Sequence, residues 1–202
     1  MMLGLPSTTE VGRRLPKEAF YEHLALDKRT REEFVRLIDR IEIANSVKPA
    51  TANLADGSHV HETIVLRIDL KCGEVPEHAL EAIAKSNPHK LVFRLEPIGA
   101  TCVFRDGMWR SDDMDGLKLE GPTMDEAWDS AVSQVAFGDS DGKDIDERLA
   151  REKLRRSLES EIASLDAKCR KTKQINKRNE LFVQLKARMR ELDQLYDAKG
   201  GK

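Results

Sequence analysis

Apolar and polar residues alternate most regularly between His59 and Lys71. Four aliphatic residues recur there at every second position: Ile64, Leu66, Ile68 and Leu70. An extended strand presents such residues to one side, where they can be buried together. The pattern therefore predicts a strand from His59 to Lys71, with an aliphatic face and an opposite face that carries Arg67 and Asp69.

Helical spacing dominates the chain before this strand. A short helix is predicted from Pro16 to Leu24, because proline is favoured in the first turn of a helix. A second helix follows, capped by Asp27 or Thr30. Its buried stripe consists of four residues at intervals of three, one and three positions: Phe34, Leu37, Ile38 and Ile41.

After the strand, the pattern predicts another helix and then a hairpin-rich segment. Pro76 can start the helix, and alternating apolar residues from Leu91 to Leu95 indicate a strand. Asp106-Gly107 is a two-residue turn between the apolar runs Thr101–Phe104 and Met108–Arg110. These three runs predict an antiparallel meander.

Two further elements complete the predicted globular part. Leu117–Leu119 could add a short edge strand, and Thr123 and Glu126 have the spacing of a capping box at the start of a helix. The element order indicates an α+β fold with a small, mainly antiparallel sheet covered by helices. We assign residues 1–138 to this domain and the Gly/Asp/Ser-rich residues 139–143 to a linker.

The segment 144–198 is predicted to be helical because it contains no proline or glycine and is rich in helix formers. Apolar residues follow a coiled-coil-like register in each half, but the two registers do not join. Cys169 and Ile175 are six residues apart instead of seven, and the residues between them are polar. One long helix and a helical hairpin both satisfy this pattern.

Charge is distributed unevenly along the chain. The net charge is −2, but residues 51–140 carry 16 acidic and 8 basic side chains, whereas residues 141–202 carry 17 basic and 12 acidic ones. Three widely spaced cysteines suggest neither a disulfide framework nor a zinc site. With no leader-like or membrane-length apolar run, we expect a cytoplasmic protein that is not inserted in a membrane.

Asp69 and Lys71 are the candidates for catalysis. An Asp-x-Lys pair on one strand face can direct a carboxylate to a metal ion and an ammonium to a phosphate, as in restriction-type nucleases. Such a site needs a further carboxylate, for which Asp56 and Glu62 are the nearby options. Because no other catalytic, metal or cofactor motif is present, we expect no metal site and no cofactor, and a metal-dependent nuclease is the alternative function.

A basic run in the helical extension is the candidate binding surface. It has no acidic residue between Asp166 and Glu180, and it contains six cations: Lys168, Arg170, Lys171, Lys173, Lys177 and Arg178. Clusters of this kind contact the phosphates of nucleic acids or bind an acidic partner. The alternative is the solvated face of a charged coiled coil.

The two ends of the chain carry a family resemblance. The runs Gly4–Val11, Leu15–Glu18, Lys168–Asn176 and Asn179–Leu181 resemble the bacterial and archaeal domain-of-unknown-function family 4391. The resemblance implies no catalytic residues. Members are similar in often being encoded beside helicases and DNA methyltransferases of restriction-like defence systems, which implies an accessory role in such a system.

The leading hypothesis is therefore a non-catalytic adaptor. It would bind a larger protein, which the resemblance implies to be a helicase or a methyltransferase of a defence system, and its basic run would bind DNA. Pairing of two copies through the C-terminal helix is a further expectation, since both of its halves are coiled-coil-like. The sequence favours this role over an enzymatic one without deciding between them.

Overall fold

The computed structural model describes residues 3–24 and 26–197. The strands within these ranges are β1 (Glu10–Leu15), β2 (Ile38–Val47), β3 (Thr63–Leu70), β4 (Lys90–Glu96), β5 (Ala100–Phe104) and β6 (Met108–Ser111). The helices are α1 (Lys17–His23), α2 (Lys28–Arg36), α3 (Pro49–Ala52), α4 (Glu77–Ser86), α5 (Met124–Phe137), α6 (Ile145–Lys171) and α7 (Ile175–Asp197). None of these helices is both long and apolar enough to cross a membrane.

The chain divides into two compact units, one ending at Ile145 and one beginning at Asp146. In the first unit the six strands form one sheet in the order β1-β2-β3-β4-β5-β6. Only β3 and β4 are parallel, and α4 makes the crossover between them. The other neighbours are antiparallel. The predicted α+β class with a mainly antiparallel sheet is confirmed, as is the meander of β4, β5 and β6.

One face of the sheet packs against α2 and α4. Leu66, Ile68 and Leu70 of β3 are buried in this core with Phe34 of α2 and Leu80 of α4. Ile64 lies at the edge of the same cluster and is partly buried. The aliphatic face predicted for the central strand is therefore confirmed.

β3 begins at Thr63, four residues later than predicted, because Asp125 binds the backbone of residues 58–60. Asp125, in the first turn of α5, accepts hydrogen bonds from the backbone N–H groups of Ser58, His59 and Val60 at 2.7, 3.1 and 2.7 Å. These donors are thus unavailable to a strand ladder. These three hydrogen bonds, which we call the clamp, attach the loop before β3 to the start of α5.

The opposite sheet face is apolar in one half and charged in the other. Its apolar half includes Val65 and Val103, both buried, and Trp109, whose ring centroid lies 6.2 Å from that of Phe137 in α5. This helix begins as predicted, since Thr123 and Glu126 form the capping box. The charged half of this sheet face carries Asp69 and is described below.

Ile38 and Ile41 were assigned to the second helix, and this prediction was wrong. Helix α2 ends at Arg36, and both isoleucines lie in β2 with no exposed surface. A bulge between Ile38 and Arg40 inserts one residue into the strand. It places Ile38 and Ile41 on the same face at a spacing of three, which imitates a helical period.

Two other expectations at the sheet edges also need correction. One edge strand is β1, which the sequence pattern did not indicate, the other is β6, and Leu117–Leu119 is not a strand. The side-chain amide of Gln134 binds both backbone groups of Lys118, at 2.9 and 2.8 Å, which replaces strand pairing there.

The C-terminal unit is a helical hairpin, which decides between the two forms left open by the sequence. Helix α6 ends at Lys171 and α7 begins at Ile175 after a three-residue connection. Nε of Arg188 in α7 lies 2.9 Å from Oε2 of Glu161 in α6, so the two helices run side by side. The predicted end of this extension at Ala198 lies outside the described residues.

Candidate functional site

Asp69 lies near the carboxyl end of β3 and is held by two arginines. Nε of Arg40 donates to Oδ2 of Asp69, and Nε of Arg67 donates to Oδ1, both at 3.0 Å. Each carboxylate oxygen therefore already accepts a charge-assisted hydrogen bond. The arrangement neutralises the carboxylate rather than leaving it open for a metal ion.

Lys71 does not share this environment. β3 ends at Leu70, so the alternation of side chains that would place residues 69 and 71 on one face stops before Lys71. Its Nζ donates to the carbonyl oxygen of Val35 at 2.7 Å, and its backbone N–H donates to that of Leu37 at 2.8 Å. The ammonium is thus directed to the end of α2.

The additional carboxylates proposed for a nuclease site are engaged elsewhere. Glu62 accepts a hydrogen bond from Oγ of Ser46 at 2.6 Å, and Oδ1 of Asp56 lies 2.9 Å from Nδ1 of His61. Among the described residues no group of three or more histidine, cysteine or carboxylate side chains could hold a metal ion. The structure does not bring the parts of the nuclease hypothesis together.

The charged half of the sheet face contains side chains of both charge signs. Two rows cross the strands in register: Arg14, Glu42, Arg67 and Arg94, and then Arg40, Asp69 and Glu96. Arg94 is the most enclosed arginine of these two rows, with 12% of its side chain exposed. It donates to Glu96, to Thr101 and to the carbonyl of Met114. Cross-strand pairs of opposite charge stabilise a sheet, and this is the role that the geometry supports for Asp69.

A small basic cleft at the start of the domain was not indicated by the sequence. Arg14 of β1, Lys17 of α1 and Arg40 of β2 line a cleft of about 420 Å³ together with the carboxylates of Glu18 and Asp39. Burial lowers the pKa of Lys17, and the charge of Lys71 lowers it further, while Asp39 raises it. The three cations meet only because β1 pairs with β2, and the sequence pattern gave no signal for that pairing.

The six basic residues come together at the tip of the hairpin, as one cluster that we call the basic tip. Lys168, Arg170 and Lys171 occupy the last turn of α6, Lys173 lies in the connection, and Lys177 and Arg178 follow at the start of α7. All six are exposed. Among the described residues, the basic tip has one ion pair: Nη2 of Arg170 lies 2.7 Å from Oδ2 of Asp166. The side chains of Arg170 and Asp166 are 79% and 41% exposed.

The two halves of the basic tip differ in how well they suit their helices. Cations in the last turn of α6 interact favourably with the partial negative charge at a helix C-terminus. The first turn of α7 has no acidic residue, and Arg178 lies where the helix end carries partial positive charge. Helix stability explains the first set of cations but not the second.

Comparison with known proteins identifies a family. The family model described as "Domain of unknown function (DUF4391)" matches residues 3–104 and 107–192. No curated protein and no solved structure matches the chain.

Proposed function

Because the chain belongs to the DUF4391 family, whose description names no activity, we propose a function from its own surface. The protein is a non-catalytic accessory protein that binds nucleic acid through the basic tip, while its α+β unit docks on a larger protein. The observation that carries the proposal is the collection of six exposed cations at one end of a hairpin, two of them at the unfavourable end of α7.

The chemistry of the basic tip favours phosphates over bases. Lysine and arginine neutralise backbone phosphates and release condensed counterions, which makes such binding strongly dependent on salt. Aromatic side chains that could stack on bases are missing from Lys168–Arg178. Binding should therefore discriminate little between sequences.

The adaptor role is supported by the state of the charged sheet face. Asp69 is neutralised by Arg40 and Arg67, so the face stabilises the fold instead of presenting a reactive carboxylate. The family resemblance implies a helicase or DNA methyltransferase of a restriction-like or phage-defence system as the larger partner. Three free cysteines agree with function in a reducing cytoplasm. Co-elution of the chain with such a partner in size-exclusion chromatography would test this part of the proposal.

Nucleic-acid binding is tested by titrating the full chain against labelled duplex DNA at several salt concentrations. If all six cations contact phosphates, the slope of log K against log salt is about −5. The variant Lys173→Gln/Lys177→Gln/Arg178→Gln should bind on the order of tenfold or more weakly, with a slope smaller by about 2–3.

A second triple variant provides the matched control. Arg13→Gln/Arg29→Gln/Lys90→Gln removes the same charge from exposed positions of the α+β unit. We expect its affinity and salt slope to stay close to those of the unmodified chain. Equal losses in both triple variants would mean that net charge, and not the basic tip, is responsible, and the proposal would fail.

A further inference from the structure

Helix α7 has two apolar stripes, and only one of them packs within the hairpin. The inner stripe shares a side with Arg188, which is paired with α6, and includes Leu185, 8% exposed. The outer stripe consists of four large side chains: Ile175, Phe182, Met189 and Tyr196, which are 65, 49, 48 and 52% exposed.

The spacing of the outer stripe is seven residues at each step. Seven residues fall only about 20° short of two helical turns, so the four side chains lie almost in line over roughly 32 Å. Val183, beside Phe182, is 68% exposed. Together these five side chains expose on the order of 600 Å², which is as large as the apolar patches that mark interaction sites on monomers.

Contacts within the hairpin cover this stripe only at its margins. Nζ of Lys186 lies 4.8 Å above the ring centroid of Phe182, and the hydroxyl of Tyr196 lies 3.5 Å from Oε1 of Glu159 in α6. Phe182 and Tyr196 nevertheless leave about half of their surface exposed. A strict seven-residue repeat is the pattern by which a helix packs along a second helix in a supercoil.

We propose that the outer stripe is the seam of a homodimer, in which two copies of α7 pack antiparallel about a two-fold axis near Leu185 and form a four-helix bundle. This symmetry places Phe182 opposite Met189 of the second copy and Ile175 opposite Tyr196. Each apolar side chain thus meets another, as a two-fold interface requires. The exposed apolar side chains supply on the order of 600 Å² per copy, compared with roughly 800 Å² per partner in a standard interface.

Charge selects the antiparallel arrangement. A parallel pair would bring two basic tips together at one end of the bundle, where their cations repel. The antiparallel pair separates the tips and brings Lys177 and Arg178 toward the end of the partner helix that carries Asp193. A second copy is therefore both geometrically and electrostatically complementary to this stripe.

The dimer has a consequence that rests on the proposed function. From the helical rise, the two basic tips lie roughly 35–40 Å apart, close to the length of one turn of B-DNA. Both tips can then contact one side of the same duplex, which raises the effective concentration of the second contact. Dimerisation itself needs no nucleic acid, so the two proposals can fail separately.

The oligomeric state is tested by sedimentation equilibrium of the full chain without nucleic acid. We expect a dimer, and a monomer for Phe182→Glu/Met189→Glu with an unchanged circular dichroism spectrum. The control Val35→Glu/Leu154→Glu places two glutamates at apolar helix positions that are 55% and 49% exposed, and it should remain dimeric. Two results would overturn the proposal. One is a wild-type chain that stays monomeric at concentrations up to about 100 times a typical micromolar Kd. The other is a Phe182→Glu/Met189→Glu variant that stays dimeric.

Cysteine cross-linking tests the orientation. Cys72 is exposed, so it is first replaced by serine. In that background, an oxidised mixture of the Phe182→Cys and Met189→Cys chains should form covalent dimers, while each variant alone should not. Cross-linking of either variant alone, without any gain in the mixture, would show a parallel pair and overturn the antiparallel arrangement.

Discussion

The guanidinium of Arg40 binds the carboxylate of Asp69 across β2 and β3, with 3.0 Å between Nε and Oδ2. About 38% of the Arg40 side chain and 23% of the Asp69 side chain are exposed. Arg67 binds the other oxygen of the same carboxylate. Asp69 is therefore paired with one arginine of the neighbouring strand and one of its own strand, whereas Lys71 donates to the carbonyl oxygen of Val35.

We expect Asp69→Ala to lower the free energy of unfolding by about 1 kcal/mol, because it removes the carboxylate that both Arg40 and Arg67 bind. Lys71→Ala removes one exposed hydrogen bond and should cost about 0.5 kcal/mol. Urea denaturation measures both changes.

In parallel, incubation with duplex DNA and magnesium or manganese should give no cleavage that depends on Asp69. Cleavage by the wild type that Asp69→Ala abolishes would restore the nuclease hypothesis.

Gly57 lies where the loop before β3 meets Asp125. A Cβ atom at this position would stand 2.5 Å from the carbonyl oxygen of Val60 and 2.6 Å from Oδ1 of Asp125. Because one of these atoms is backbone of the loop and the other is the carboxylate oxygen that holds the loop, we expect Gly57→Ala to lower the free energy of unfolding by about 2 kcal/mol. Gly73→Ala is the control, since the nearest atom there is Cγ2 of Ile98 at 3.8 Å. Equal melting temperatures for the two variants would contradict this account.

The sequence predicted the parts of the fold in which local pattern and tertiary environment agree. β3 has a strict period of two and is buried on the side that the period indicates, and Thr123 and Glu126 form their capping box from local contacts alone. The start of β2 was misassigned because its bulge changes the period between Ile38 and Ile41. A bulge is fixed by pairing with β3, which no single-strand pattern reveals.

The candidate sites show the same division. The basic tip is formed by residues that are close in sequence, so its composition could be predicted, although the turn that gathers it could not. The surroundings of Asp69 depend on Arg40, which is 29 positions away in the chain and adjacent only through strand register. The Arg14–Lys17–Arg40 cleft needs the pairing of β1 with β2, and β1 itself is almost wholly exposed and lacks an apolar period.

Cys102 and Cys72 should differ strongly in reactivity. Cys102 is buried in the core, and burial raises the pKa of its thiol to about 12, although Arg110 lowers it in part. Since the thiolate is the nucleophile, we expect Cys102 to resist iodoacetamide at pH 8 while exposed Cys72 reacts. Mass spectrometry of a time course reports each site. Urea should expose Cys102 to alkylation, and similar rates at Cys72 and Cys102 without urea would contradict the burial of Cys102.

Acid should weaken the hairpin through Glu152 of α6. Its carboxylate accepts hydrogen bonds from Nη2 of Arg155 at 2.6 Å and from Nε of Arg156 at 2.8 Å, and only 17% of the side chain is exposed. The hydrogen bond from Arg155 is the largest cause that lowers the pKa of Glu152 from 4.5 to about 2, while burial acts in the opposite direction and the hydrogen bond from Arg156 lowers it further.

Because the pKa of Glu152 is lower in the folded chain than in the unfolded one, its stabilisation is complete above pH 4.5 and is lost as the pH falls toward 2. We expect Glu152→Gln to lower the free energy of unfolding by about 1 kcal/mol at pH 7. The difference from the wild type should shrink between pH 4.5 and pH 2. Urea denaturation followed by circular dichroism across this range measures it. The control is Glu120→Gln, which removes one carboxylate from an exposed loop position and should leave the free energy of unfolding unchanged. If the loss of stability in Glu152→Gln persisted to the lowest pH, packing of Glu152 and not its charge would stabilise α6.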